Sequence, residues 1–300
     1  MDNVSRLHTM GPAHGTEHAC PEQIEALTRV CAGELLEAFG LGGGVLRPLE
    51  LLARVPAERL AHQIATYEEI VGESGLAAGG SWALERMTRS AEVEGLENIA
   101  LEGPVLLAAN HPGLADSLAL FATVPREDLR VIAARKPILA ALPNTSRFLI
   151  PVSESSSGRL GAVRTAARHL RRRGAVLTFP GGRIEPDPTV LPGAEEALER
   201  WSESLDLFAR LVPGLTVVPA VVSGVLSPTA LQNPLTFVRR QRRDREWLAA
   251  TLQMLTPALR DVTTSVAFGR PVRAGDVPER TVREAVLDEA RRLIQRCAAR

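Results

Sequence analysis

Lysine is almost missing from this chain. Lys136 is the only one in 300 residues, and every other strong cation is an arginine. Basic and acidic residues number 35 each and cancel, so no overall field gathers nucleic acid or a strongly acidic partner. Aromatic residues make up only 4% of the chain, with a single tyrosine, which offers no stacking platform for nucleic-acid bases. Cysteine is scarce as well. Cys20, Cys31 and Cys297 are odd in number and far apart, so they form neither a disulfide framework nor a CxxC metal pair and fit a reducing cytoplasm.

Long apolar runs are also lacking. The longest, Gly214 to Leu226, is interrupted by Pro219, and a membrane-spanning helix needs about 20 apolar residues. The first residues, MDNVSRLHTMGPAHG, contain no apolar segment of the secretory type. These absences together predict a cytoplasmic protein, peripheral at most at the inner face of a membrane. His8, His14, His18 and Cys20 are metal-ligand types, but they sit in a polar tail without fixed geometry, and no metal site is expected from them.

The chain has ample material for a core: 45% apolar and 23% charged residues, ordinary for a globular protein. Residues 1–20 are expected to be disordered. From Pro21 to about Gly95 the apolar residues recur at helical spacing, as in Ile24, Leu27, Cys31 and Leu35 or Leu60, Ile64 and Tyr67. Glycine-rich breaks at 40–44 and 75–80 are expected to separate the helices of a small helical subdomain over 21–95. The pattern then changes. Short apolar runs at 104–110, 130–134, 147–152, 175–180, 215–222 and 264–269 read as strands. Helical patterns at 117–123, 159–173, 194–211 and 247–255 fall between several of them, and a last amphipathic helix is expected over 278–299. Strands alternating with helices predict an α/β fold over 96–300, a mixed sheet flanked by helices.

Two stretches carry chemistry. The first, A-A-N-H-P-G-L-A-D-S at 108–117, begins where a buried strand ends and turns through Pro112 and Gly113 toward a helix. Open α/β sheets place ligands at the carboxyl ends of their strands. Histidine accepts protons near neutral pH, and a carboxylate five residues on can fold back to hold its tautomer and stabilise the imidazolium. His111 is therefore a candidate general base and Asp116 its partner. The same residues also fit a turn histidine followed by an aspartate that only caps the helix. The second stretch, T-F-P-G-G-R-I-E-P-D-P at 178–188, follows another buried run. Gly181 and Gly182 let backbone N–H groups approach an anion or a developing oxyanion, and Arg183 offers a fork suited to phosphate. A plain strand-to-loop turn favours the same glycines and prolines. No G-x-S-x-G nucleophile elbow occurs.

In this order the two stretches resemble the glycerolipid acyltransferase superfamily, which includes the lysophosphatidic acid and glycerol-3-phosphate acyltransferases. That family carries an N-H-x4-D block and, downstream, an F-P-E-G-T-R-like or G-G-R block. Here N-H-P-G-L-A-D (110–116) matches the first and F-P-G-G-R (179–183) the second in part. RFLIPVSES (147–155) and VVPAVVSG (217–224) look like two further blocks, so the resemblance covers about residues 95–275. G-G-R-I-E-P-D-P (181–188) is similar to the G-G-R-D-R-P-D-P stretch of the soluble plastid-type glycerol-3-phosphate acyltransferases, which also place a helical bundle first.

The resemblance implies acyl transfer from acyl-CoA or acyl carrier protein, without another cofactor, to a glycerol-phosphate or lysophospholipid-type acceptor. It implies that His111 acts as base and that the acceptor's phosphate meets Arg183 with Arg135 and Lys136. Two departures stand out: Gly181 replaces the glutamate of the F-P-E-G form, and Glu185 replaces a second phosphate-binding arginine. A carboxylate there is expected to repel glycerol-3-phosphate. The arginines at 159–173 and 239–245 read either as solvated faces or as attraction to anionic headgroups, a carrier protein or coenzyme A.

Overall fold

The computed structural model of the chain describes residues 5–6, 21–41, 47–153, 155–276 and 279–299. The tail expected to be disordered, with His8, His14, His18 and Cys20, lies outside the described residues apart from Ser5–Arg6. In chain order the elements are β1 (Ser5–Arg6), α1 (Pro21–Ala38), α2 (Arg47–Leu84), β2 (Ser90–Glu94), β3 (Val105–Ala109) and α3 (Leu114–Thr123). Next come β4 (Arg130–Ala134), α4 (Pro137–Ala140), α5 (Pro143–Ser146), β5 (Leu149–Val152), α6 (Ser156–Arg171), β6 (Ala175–Thr178), α7 (Ala194–Leu198) and α8 (Ser204–Leu211). The chain ends with β7 (Thr216–Ser223), α9 (Pro228–Leu231), α10 (Arg242–Leu255), β8 (Thr263–Phe268), β9 (Val272–Arg273) and α11 (Val282–Ala298).

The strands form one mixed sheet in the order β1-β2-β8-β7-β3-β6-β4-β5, with β9 beside β7. The run from β7 through β3, β6 and β4 to β5 is parallel, whereas β8 and β9 pair with β7 antiparallel. Successive strand residues point to opposite faces, and this alternation divides the core. Val105, Leu107 and Ala109 of β3 join one apolar cluster with Val218 and Val222 of β7. Leu106 and Ala108 join the other, with Val217, Val221 and residues of α6, α8 and α11. All five β3 residues are buried. That is why β3 reads as a continuous apolar run rather than an alternating one: both faces are covered.

Each of the expected apolar runs from 104 to 269 forms a strand, β3 through β8. β2 was not anticipated: S-A-E-V-E is short and half polar, and it reads as a strand only because β8 lies parallel beside it. β2 therefore brings the sheet to Ser90, inside the segment assigned to the helical subdomain. α1 and α2 do not stand apart either, since Leu27, Ala61, Tyr67 and Val71 share one cluster with β3.

The expected break at 75–80 narrows to Gly75, whose φ of 85° leaves helical geometry. Gly80 serves packing instead. A Cβ there would come within 2.9 Å of the Leu118 carbonyl and the Ala122 nitrogen, so only glycine lets α2 approach α3 this closely. The helix expected over 194–211 splits into α7 and α8, and the break turns Trp201 into the core at 1% exposure.

A buried carboxylate ties the helical hairpin to the sheet's far edge. Glu68 of α2 is 2% exposed. It accepts the Asn144 N–H, the Thr145 N–H at 3.0 Å and the Thr145 hydroxyl at 2.7 Å, all in the first turn of α5. Negative charge at a helix start is favoured, and buried N–H groups need acceptors. Glu68→Ala leaves these donors unpaired and is expected to cost about 2–4 kcal/mol, read as a lower midpoint in urea unfolding.

Candidate active site

β3, β6 and β4 are neighbours and run parallel, so their carboxyl ends lie along one edge. His111 follows β3, Gly181–Arg183 follow β6, and Arg135–Lys136 follow β4. The topology therefore gathers every candidate residue on that edge. Asn110 sets the departure from β3. Its side chain donates to the Val222 carbonyl at 2.9 Å and accepts from the Val222 N–H at 2.7 Å, extending the ladder to β7 after the backbone has turned away.

His111 and Asp116 touch. The ring Nδ1 lies 2.9 Å from Asp116 Oδ2 and 3.1 Å from Oδ1. The carboxylate is fully buried and the imidazole 26% exposed, so one edge of the ring faces solvent while the other is held. Asp116 Oδ2 also accepts the Gly113 N–H at 2.7 Å, and Oδ1 accepts the Ser117 hydroxyl at 2.9 Å. Asp116 thus ties down the start of α3 and holds the imidazole at the same time. The ring stacks on Phe179, centroids 4.5 Å apart and planes 29° from parallel.

The loop after β6 is pinned beneath His111. The Glu185 N–H donates to the His111 carbonyl at 2.8 Å, and Glu185 Oε2 accepts the His111 N–H at 3.3 Å. Glu185 Oε1 accepts the Trp201 indole N–H at 3.0 Å. Only 4% exposed, this carboxylate is turned inward, not toward the open edge. The expectation that it repels an acceptor's phosphate is corrected: direct contact with a ligand at the edge is closed to it.

A second correction concerns Gly182, whose φ is 64°. Its N–H donates to the Phe179 carbonyl at 3.0 Å and closes the turn, so it is not aimed at an oxyanion. Arg183, Arg135 and Lys136 are all exposed, and the structure gives none of their side chains a hydrogen bond or ion pair among the described residues. That distinguishes them from Arg126, which is 5% exposed at the side chain and tied to Asp128 at 2.8 Å. An open groove of about 670 Å³ starts at Pro137, next to Lys136, and follows α1 to Arg239; His111 is not in its lining.

Charge around His111 is lopsided. Burial, the largest influence on His111, pulls its pKa down, but the charge and hydrogen bond of Asp116 and the charge of Glu185 outweigh it and raise the value above the ordinary 6.5. Burial drives the Glu185 carboxyl up to about 7, against the lowering effects of Trp201, the His111 N–H, the His111 charge and Arg200.

Sequence reasoning missed the supporting residues. Asp187, 1% exposed, accepts Thr189 N–H (3.1 Å) and hydroxyl (2.9 Å), and the N–H groups of Gly224 (3.0 Å), Val225 (2.7 Å) and Leu226 (3.2 Å). It therefore fastens the β6 loop to the end of β7. The string Asp187-Pro188-Thr189 bears the mark of an Asx-type turn, but the partners at 224–226 are legible only in three dimensions.

Comparison with known proteins gives a partial match. Residues 90–223 match the family model described as Acyltransferase. Among solved structures, the chain is similar to the crystal structure of the 1-acyl-sn-glycerophosphate (LPA) acyltransferase, PlsC, from Thermotoga maritima. Identity is 18% and the TM-score 0.44, over 93% of this chain and 96% of that one. No curated protein matches.

Asp187→Asn presents an amide N–H₂ to a cluster of donors. It is expected to lower stability by about 2–4 kcal/mol, measured as a shift in the urea midpoint, and to raise amide exchange at 224–226.

Proposed function

We propose that this chain is an O-acyltransferase. It moves a fatty acyl group from the thioester of acyl-CoA or acyl carrier protein to the hydroxyl of a glycerol-phosphate or lysophospholipid-type acceptor, with His111 as general base. The observation that carries this reading is the contact between a partly open imidazole and a fully buried carboxylate at the carboxyl end of a central strand. The family match over 90–223 supports the reaction class.

In the proposed step Nε2 of His111 takes the acceptor's hydroxyl proton as the oxygen attacks the thioester carbonyl carbon. Nδ1–H remains bonded to Asp116, which stabilises the imidazolium. The tetrahedral intermediate collapses, the C–S bond breaks, and the thiolate takes the proton back from the imidazolium. Ester and free thiol are the products, and no electrons are exchanged. Arg183, Arg135 and Lys136 hold the acceptor's phosphate; their lack of partners among the described residues supports this role. With Glu185 turned inward, a phosphate at this edge does not contact a carboxylate there.

No helix among the described residues is long and apolar enough to cross a membrane. The proposed contact with anionic lipid is the short turn Pro234–Val238 and the arginines after it. Leu235, Phe237 and Val238 are 50%, 62% and 60% exposed, beside exposed Arg240, Arg242 and Arg243. Apolar side chains that insert and cations worth about 1 kcal/mol each near a charged surface act together.

With labelled acyl-CoA and lysophospholipid or glycerol-phosphate acceptors, His111→Ala is expected to lower kcat/KM by roughly 10³-fold or more while the fold is kept, and Asp116→Asn by roughly 10²–10⁴-fold. The base must be neutral to act, so the acid limb of kcat/KM against pH is expected above 6.5, the ordinary value from which His111 is raised. Near-normal turnover in His111→Ala removes the mechanism, and acyl release at equal rate with and without acceptor makes the protein a hydrolase. In a flotation assay, vesicles containing anionic phospholipid are expected to retain the protein, and Phe237→Ser with Arg240→Ser and Arg243→Ser to release it. Equal retention on neutral and anionic vesicles counts against the lipid contact.

A further inference from the structure

Glu185 and Gly181 form a pair that sequence order hides. A Cβ built on Gly181 falls 1.9 Å from Glu185 Oε1 and 3.0 Å from its Cδ. The carboxylate therefore occupies the volume that any side chain at 181 would need. No side chain other than hydrogen is compatible with this arrangement, and the reason is space. In the F-P-E-G form of this block a glutamate stands at 181 itself; here a carboxylate reaches the same neighbourhood from four residues downstream.

What the carboxylate does there follows from its partners. Oε2 accepts the main-chain N–H of His111, Oε1 accepts Trp201 Nε1, and the Glu185 N–H returns to the His111 carbonyl. Both main-chain polar groups of His111, its N–H and its C=O, are thus engaged by one residue. Trp201 is itself wedged at the break between α7 and α8, with Arg283 Nε donating to its carbonyl at 2.6 Å, so the anchor is rigid. Glu185 does not touch the edge where a substrate would sit; it acts through His111.

We propose that Glu185 is a positioning residue for the base: seated in the space that Gly181 leaves empty, it clamps the His111 main chain and adds a second carboxylate to Asp116 in the surroundings of the imidazole. This inference rests on the reading of His111 as the base. Among the described residues, the charges that act on Glu185 are those of His111 and Arg200. Asp116 faces the imidazole from the α3 side. A carboxylate held near neutrality can meet the imidazolium with charge as it forms, and the pair then titrates as a unit.

The test reads the imidazole without substrate. The ¹H–¹⁵N titration of His111, assigned by its loss in His111→Ala, is expected to move to lower pH in Glu185→Gln, which keeps the size, removes the charge and turns an amide N–H₂ toward one of the two donors that the carboxylate accepts. Gly181→Ala, whose added methyl displaces the carboxylate, is expected to shift it in the same direction. In both variants the acid limb of kcat/KM should follow, and Gly181→Ala, which also disturbs the clamp, should lose about tenfold or more in kcat/KM. Thermal melts report folding separately. An unchanged His111 titration in either folded variant overturns the proposal, as does a loss of stability with the acid limb unmoved. Should wild-type protein transfer no acyl group at all while the titration still shifts, the catalytic reading fails and the positioning role survives.

Discussion

The contact between the His111 imidazole and the Asp116 carboxylate organises this molecule's working edge. It requires a strand to end, a turn to reverse the chain and a helix to begin within a few residues. Pro112 and Gly113 provide the turn, and Asp116 takes the Gly113 N–H as well as the ring. A single buried carboxylate thus stabilises a helix start and fixes a tautomer. The two tasks reinforce each other, because the hydrogen bond that secures the helix also immobilises the oxygen that holds the base. Burial strengthens both interactions, since little water competes for the carboxylate.

The same device recurs around the edge. Glu68, Asp187, Glu185 and Asn110 are buried side chains that accept main-chain N–H groups from distant segments. Loops at the ends of strands cannot complete the sheet's hydrogen-bond ladder, and their orphan donors must be satisfied when buried. Here side-chain oxygens do this work. They convert what would be loose connections into a frame on which His111, the Gly-Gly-Arg turn and β7 keep a fixed relation. The exposed cations Arg183, Arg135 and Lys136 lie outside this frame, on the same edge, with no ion pair among the described residues.

Much of this arrangement was legible in sequence terms. Fully apolar runs such as V-L-L-A-A marked strands covered on both faces, and N-H-x4-D at the end of one of them marked a histidine and a carboxylate in contact, because local spacing alone lets residues 111 and 116 meet. Glu185 was misread. Beside Arg183 in the chain, it looked like a neighbour of the phosphate, yet residues adjacent in sequence can point to opposite sides of a turn. The helix pattern at 194–211 failed for a related reason: the periodicity was present, but Trp201 gains more from burial against Glu185 than from continuing a solvent-facing helix.

The sequence by itself determined which segments become strands and helices and where a base could be held by a carboxylate, since both depend on period and short-range reach. Only the tertiary structure decided which way Glu185 turns, which oxygens satisfy the donors at 224–226, and why residue 181 must lack a side chain. Those outcomes depend on volume and unpaired N–H groups contributed by segments far apart in the chain, and no local pattern encodes the space between them.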